Sequence, residues 1–137
     1  MACPDFTVPV YGGDTFVLSQ ARGKVTVINF WATWCTPCIN ELPYFEQIGA
    51  EYGEDVEMIC IHSELVTEDV QAWIDARDYA LRFALDETGE VIKSLGGSTM
   101  LPMTVIVDQN GTIVYNAVGS VTYDALRSLI APLTGGK

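Results

Sequence analysis

A run of β-branched and aromatic residues, KVTVINFWA (residues 24–32), gives way within a few positions to a helical pattern, and this abrupt change of period constrains the fold most. Nearly free of polarity, the first segment suits a strand buried on both faces, as in an α/β sheet. Leu42, Phe45, Ile48 and Tyr52 then recur at helical spacing and Gly53 stops them, which predicts a helix over residues 36–52. The junction holds Cys35 and Cys38 in the sequence CTPC, and Pro37 falls in the first helical turn, where its missing N–H costs little.

The pattern continues in the same style. VEMICIH reads as a second buried strand, and TEDVQAWIDARDY as a second helix with Thr67 as its N-cap. LRFALD supplies a short strand and Val91 to Leu95 a short helical turn, ended at Gly96-Gly97. TVIVD and TIVYNAV flank QNG, whose Asn110-Gly111 step is expected to supply the positive φ of a hairpin. A last helix is predicted from Tyr123 to Leu133, capped by Thr122, with Leu126, Leu129, Ile130 and Leu133 facing inward. The fold class is therefore α/β: a mixed β-sheet flanked by helices on both faces, with an extra central strand-helix insertion. A length of 137 residues with 49% hydrophobic content suits one domain spanning 1–137.

Charge excludes some partners. Eighteen acidic against seven basic side chains give a formal net charge of −11, which would repel nucleic acid or an anionic membrane surface. No run of about 18 apolar residues occurs, and the start MACPDFTVPV lacks a basic segment followed by an apolar one, so a soluble chain is expected.

Cys35 falls at a predicted helix N-terminus, where unpaired N–H groups and the helix dipole favour a thiolate. Cys38, about one turn further in, is expected to be more buried. That asymmetry suits thiol–disulfide exchange, with Cys35 attacking a disulfide and Cys38 then releasing the product. Two structural alternatives stand beside it. A permanent staple across so short a loop would constrain the unfolded chain little. A zinc site would draw its other ligands from Cys3, Cys60 and His62, yet Cys60 and His62 lie in a predicted core strand, so no metal is expected.

The motifs NFWATWCTPC, preceded by ARGK, with PDFTV at the start and LPMTVIVDQNG downstream, resemble the thioredoxin-like proteins of the TlpA/ResA type. These are bacterial extracytoplasmic thiol–disulfide oxidoreductases, and the resemblance covers nearly the whole chain. It implies Cys35 as the attacking thiol, Cys38 as the resolving thiol, and Pro102 as a cis-proline facing the pair, with the backbone of Leu101 binding substrate. Met103 stands where the family usually has threonine, and Thr104 follows it. Glu41 matches an acid near the family's active site and shares a helix face with Cys38, so it is the candidate proton carrier; a solvated first-turn glutamate is the alternative. Asn29 occupies the place of ordinary thioredoxin's buried aspartate. Trp31 and Trp34 are expected to pack around the pair, with Trp34 and Pro37 forming the substrate rim; Trp73 is expected in the core, and Pro43 is expected to interrupt and kink the helix.

The resemblance further implies a protein disulfide as substrate, apocytochrome c in cytochrome c maturation among the candidates, an upstream thiol reductant, an extracytoplasmic location and no cofactor. Two other functions remain in view. PDF openings also occur in peroxiredoxins, although Thr33 lies close to Cys35 without the preceding proline of those peroxidases. The other is a non-catalytic or zinc-held binding module of the same fold.

Overall fold

The computed structural model describes residues 1–62 and 69–135. The strand-helix-strand unit forms as expected: β3 (Val25–Trp31) runs into α1 (Thr36–Tyr52) and returns as β4 (Val56–His62), after a small antiparallel hairpin of β1 (Thr7–Pro9) and β2 (Thr15–Val17). Then come α2 (Val70–Asp75), β5 (Phe83–Leu85), α3 (Glu90–Ser94), β6 (Met103–Val107), β7 (Ile113–Val118) and α4 (Tyr123–Ile130). The main sheet has the order β5-β4-β3-β6-β7, with β5, β4 and β3 parallel and β6 and β7 antiparallel to their neighbours.

Every residue of β3 is buried, because helices or loops cover both faces. Ile28 and Phe30 face one side with Phe6, Phe16 and α3's Ile92. Val25 and Val27 face the other, under Phe45 and Ile48 of α1 and Leu126 and Ile130 of α4. Toward the C-terminal end of the parallel strands, Trp31, Cys60 and Phe83 form a third cluster with Cys35, Cys38 and Leu42, flanked by Trp73 and Ile74 of α2. The predicted insertion, β5 with α3, extends the sheet at one edge and closes its opposite face.

Local chemistry altered several boundaries. Thr67, the predicted cap of the second helix, lies outside the described residues; Asp69 caps α2, its Oδ1 accepting the Ala72 N–H at 3.0 Å. The α4 segment stops at Ile130 and tightens into a 3₁₀ turn over Ala131–Thr134. Pro132 has no N–H to give the Ser128 carbonyl, so the α-helical ladder cannot continue. Thr122 caps α4 as predicted, accepting the Ala125 N–H at 3.1 Å. α1 runs through Pro43 without interruption, the proline lying exposed on its outer side.

At the β6–β7 turn only Gly111 takes positive φ (85°); Asn110 does not. The turn closes from Asp108, whose carbonyl accepts the Gly111 N–H at 3.1 Å and whose Oδ1 accepts the N–H groups of Asn110 and Thr112. The Asn110-Gly111 step thus supplies its positive φ at Gly111, and an Asx-type cap from Asp108 closes the turn. Any side chain at 111 would also meet Arg22, whose Nε lies 2.7 Å from the position of an added Cβ.

Candidate active site

Cys35 is the N-cap of α1, and its Sγ accepts the Cys38 N–H at 3.3 Å. The two cysteines form a disulfide with Cα atoms 5.3 Å apart. Cys35 is 5% exposed and Cys38 fully buried, so the expected asymmetry holds in direction, with Cys35 more covered than its position alone implied. The junction before it is pinned twice: Cys35 N–H donates to the Ala32 carbonyl at 3.1 Å, and Thr33 N–H to His62 Nε2 at 3.3 Å. Because the Cys38 N–H already points at Cys35 Sγ at the positive end of the helix dipole, the Cys35 thiol in the reduced protein is expected to titrate well below about 8.5. Iodoacetamide alkylation followed against pH checks this, with Cys38 expected to stay unmodified under native conditions.

The two tryptophans separate. Trp31 is fully buried in the cluster containing both cysteines, whereas Trp34 is 57% exposed and forms part of the open rim with Thr36 and Pro37. Trp73 is only partly buried, and the Arg77 guanidinium lies 3.7 Å over its ring.

The Leu101–Pro102 peptide, just before β6, is cis. Leu101 packs against the cysteine-containing cluster, so this loop and the CTPC turn share one surface. Pro102 is buried, its carbonyl accepting the Gly119 N–H at 2.8 Å, while the preceding Met100 is 65% exposed. Met103 points the other way, into the core opposite α1, where Gly97 leaves it room: an added Cβ there would lie 2.4 Å from Met103 Sδ. Thr104 turns back to the α1 side of the sheet.

Beneath the pair lies a buried polar group. Asn29, Cys60 and Thr104 stand side by side on β3, β4 and β6. Asn29 Nδ2 donates to Cys60 Sγ at 3.7 Å. Glu41 is 1% exposed, not a solvated glutamate, and its Oε2 accepts the Val121 N–H at 3.0 Å. Its Oε1, Asn29 Oδ1 and Thr104 Oγ1 have no hydrogen-bond partner among the described residues. Burial pushes the Glu41 carboxyl up to about 7, the Val121 N–H pulling weakly the other way. Cys60 rises to about 12, chiefly through burial, with the Asn29 bond lowering it and the Glu41 charge raising it. The Val121 contact was invisible in the sequence, since it joins residues 80 positions apart.

Cys3 is buried on the opposite face, held at the hairpin turn where its N–H donates to the Gly111 carbonyl. Burial and the Asp5 charge push its thiol to about 11. Among the described residues no group of three or more His, Cys, Asp or Glu side chains is arranged to hold a metal, and no helix is long and apolar enough to cross a membrane.

Known proteins are similar to this chain in sequence and fold. The AhpC/TSA family matches residues 1–116. The thiol-disulfide oxidoreductase ResA of Bacillus thuringiensis subsp. konkukian is 30% identical over 132 residues, covering 96% of this chain and 76% of that protein. The ResA of Oceanobacillus iheyensis is 34% identical over 134 residues, covering 94% and 69%. The crystal structure of the exposed lipoprotein thioredoxin Etrx1 from Streptococcus pneumoniae superposes with a TM-score of 0.82 at 28% identity, covering 92% of this chain and 98% of that one. With a cysteine pair at a helix N-terminus, a cis-proline before β6 and a mixed sheet of this order, the chain belongs to the AhpC/TSA family and is a thioredoxin-like thiol–disulfide oxidoreductase similar to ResA.

Proposed function

We propose that the chain reduces protein disulfides by dithiol exchange through Cys35 and Cys38. The observation that carries this reading is the pairing of an N-cap thiol with a buried second thiol, one helical turn from a carboxyl titrating near neutrality. The Cys35 thiolate attacks one sulfur of a substrate disulfide, forming a mixed disulfide and expelling the other sulfur as thiolate. Cys38 then gives its proton to Glu41 and attacks Cys35 Sγ. The mixed disulfide breaks, the second substrate sulfur leaves, and the Cys35–Cys38 disulfide remains. Two electrons have passed to substrate, and an upstream dithiol returns them.

Substrate is read at the surface shared by the two loops. Trp34 and Pro37 offer an exposed rim on one side; Leu101, at the edge of cis-Pro102, offers backbone groups to an extended peptide on the other. Oxidised apocytochrome c is the substrate class we favour, and the outer side of the cytoplasmic membrane the location. A neighbour described as an exposed lipoprotein supports the location, and relatives named thiol-disulfide oxidoreductases support a protein disulfide as the substrate class.

A reductase requires a low potential. The Thr36-Pro37 dipeptide brings no cation to the Cys35 thiolate, and ionised Glu41 opposes further negative charge, so the dithiol form is weakly favoured. The midpoint is expected nearer thioredoxin's value of about −270 mV than the roughly −120 mV of the strong oxidant DsbA. Equilibration in dithiothreitol buffers, read by fluorescence of Trp31 packed in the disulfide's cluster, measures it. A midpoint close to the oxidant's value would make this a disulfide-forming enzyme instead.

A further inference from the structure

The chain's one histidine lies at the C-terminal end of β4, fully buried, beside the junction that leads to Cys35. We propose that His62 is a positioning residue for the thiol chemistry: its imidazole holds the Ala32–Cys35 junction through the Thr33 N–H and so keeps Cys35 at the α1 N-cap. The proposal rests on Cys35 being the attacking thiol.

Three observations place the imidazole as a fixed post. His62 pairs with Trp31 across the parallel strands, and their rings meet edge to face, with centroids 5.3 Å apart and planes at 77°. The His62 carbonyl accepts the Asp86 N–H at 2.9 Å, so its backbone is tied on the β5 side as well. Its Nε2 accepts the Thr33 N–H at 3.3 Å. Accepting that bond requires a lone pair on Nε2, which assigns the neutral ring with its hydrogen on Nδ1.

Thr33 lies two residues past the end of β3, where the sheet no longer supplies backbone partners. Its N–H lies in a partly buried place, where losing the imidazole acceptor carries a free-energy cost. Only a few rotatable bonds separate Thr33 from Cys35, and the next fixed point is the Cys35 N–H on the Ala32 carbonyl. With the imidazole bond removed the junction is held less firmly, and Cys35 Sγ can drift from its register with the Cys38 N–H.

The test compares His62→Phe, which keeps bulk and the aromatic contact but has no lone pair, with His62→Gln, whose carboxamide oxygen reaches the Nε2 position. Far-UV circular dichroism confirms folding of both. In His62→Phe, Thr33 amide hydrogen exchange is expected to quicken about tenfold and Cys35 alkylation at pH 7 to slow about fivefold, the loss of roughly one net hydrogen bond. The Cys35 alkylation midpoint shifts upward with it. His62→Gln is expected to restore both to within about twofold, which a purely packing role would not do. Unchanged values in a folded His62→Phe, or equal losses in both variants, overturn the proposal. Failure of the underlying reading shows elsewhere: the wild type's own Cys35 midpoint would then sit at or above about 8.5.

Discussion

Cys38→Ser is expected to halt the catalytic cycle at its midpoint, with Cys35 covalently bound to substrate and multiple-turnover reduction slowed at least about a thousandfold. Attack needs only the Cys35 thiolate, which stays at the α1 N-cap and is the more exposed of the two sulfurs. Release needs a second sulfur against Cys35 Sγ, and a serine hydroxyl, far less acidic than a thiol, cannot supply it. Cys35→Ser should instead form no adduct, because its remaining thiol is fully buried. Both variants are expected to fold: the lost disulfide spans a separation of 3 residues, and closing so short a loop stabilises by about 2 kcal/mol or less. Non-reducing electrophoresis and mass spectrometry of adducts from an extracytoplasmic extract read the result. If Cys35→Ser trapped substrate and Cys38→Ser did not, the roles would be exchanged. If neither formed an adduct, the chain would be a binding module on the same fold.

The strand and helix around that pair were legible because their periods are unambiguous. β3 and α1 were placed from an unbroken apolar run and a helical repeat, and little chain lies between them, so Cys35 had to fall at the helix start. What failed was whatever depended on a second segment. Trp31 and Trp34 are the same residue three positions apart, yet one ends a buried strand and the other stands on a junction open to solvent. The Asn110-Gly111 step supplies the expected positive φ at Gly111, but the caps from Asp108 were not legible in it. Glu41 was legible only halfway. Its spacing from Cys38 put it on the same helix face, but whether water reaches that face depends on Val121 at the entrance to α4. Likewise His62 read correctly as a core strand residue, and nothing local showed that a loop amide from β3's end would land on its ring.

Glu41 carries the second large effect, which appears in stability and in chemistry at once. Its carboxyl sits near the ordinary 4.5 in the unfolded chain and rises to about 7 in the folded, disulfide-bonded protein. Between those values the folded state holds a proton that the unfolded state has released, so raising the pH favours unfolding. The wild type should lose about 3 kcal/mol from this residue as pH climbs from about 4.5 to above 7, and lose no more beyond. In Glu41→Gln the carboxamide oxygen can still accept the Val121 N–H, but the side chain carries no charge to bury. Urea unfolding of the oxidised proteins at pH 4.5 and pH 8 should therefore show the variant gaining about 3 kcal/mol on the wild type across that interval, other titrations cancelling between them. Catalysis moves in the opposite sense. Glu41 accepts the Cys38 proton only as carboxylate, so mixed-disulfide resolution should quicken through pH 7 in the wild type. In the variant it should run about a hundredfold slower at pH 7.5. A variant that gained stability as described yet resolved at the wild-type rate would leave Glu41 a buried carboxyl without a proton role. One whose stability gap stayed constant with pH would mean that the carboxyl does not titrate near neutrality.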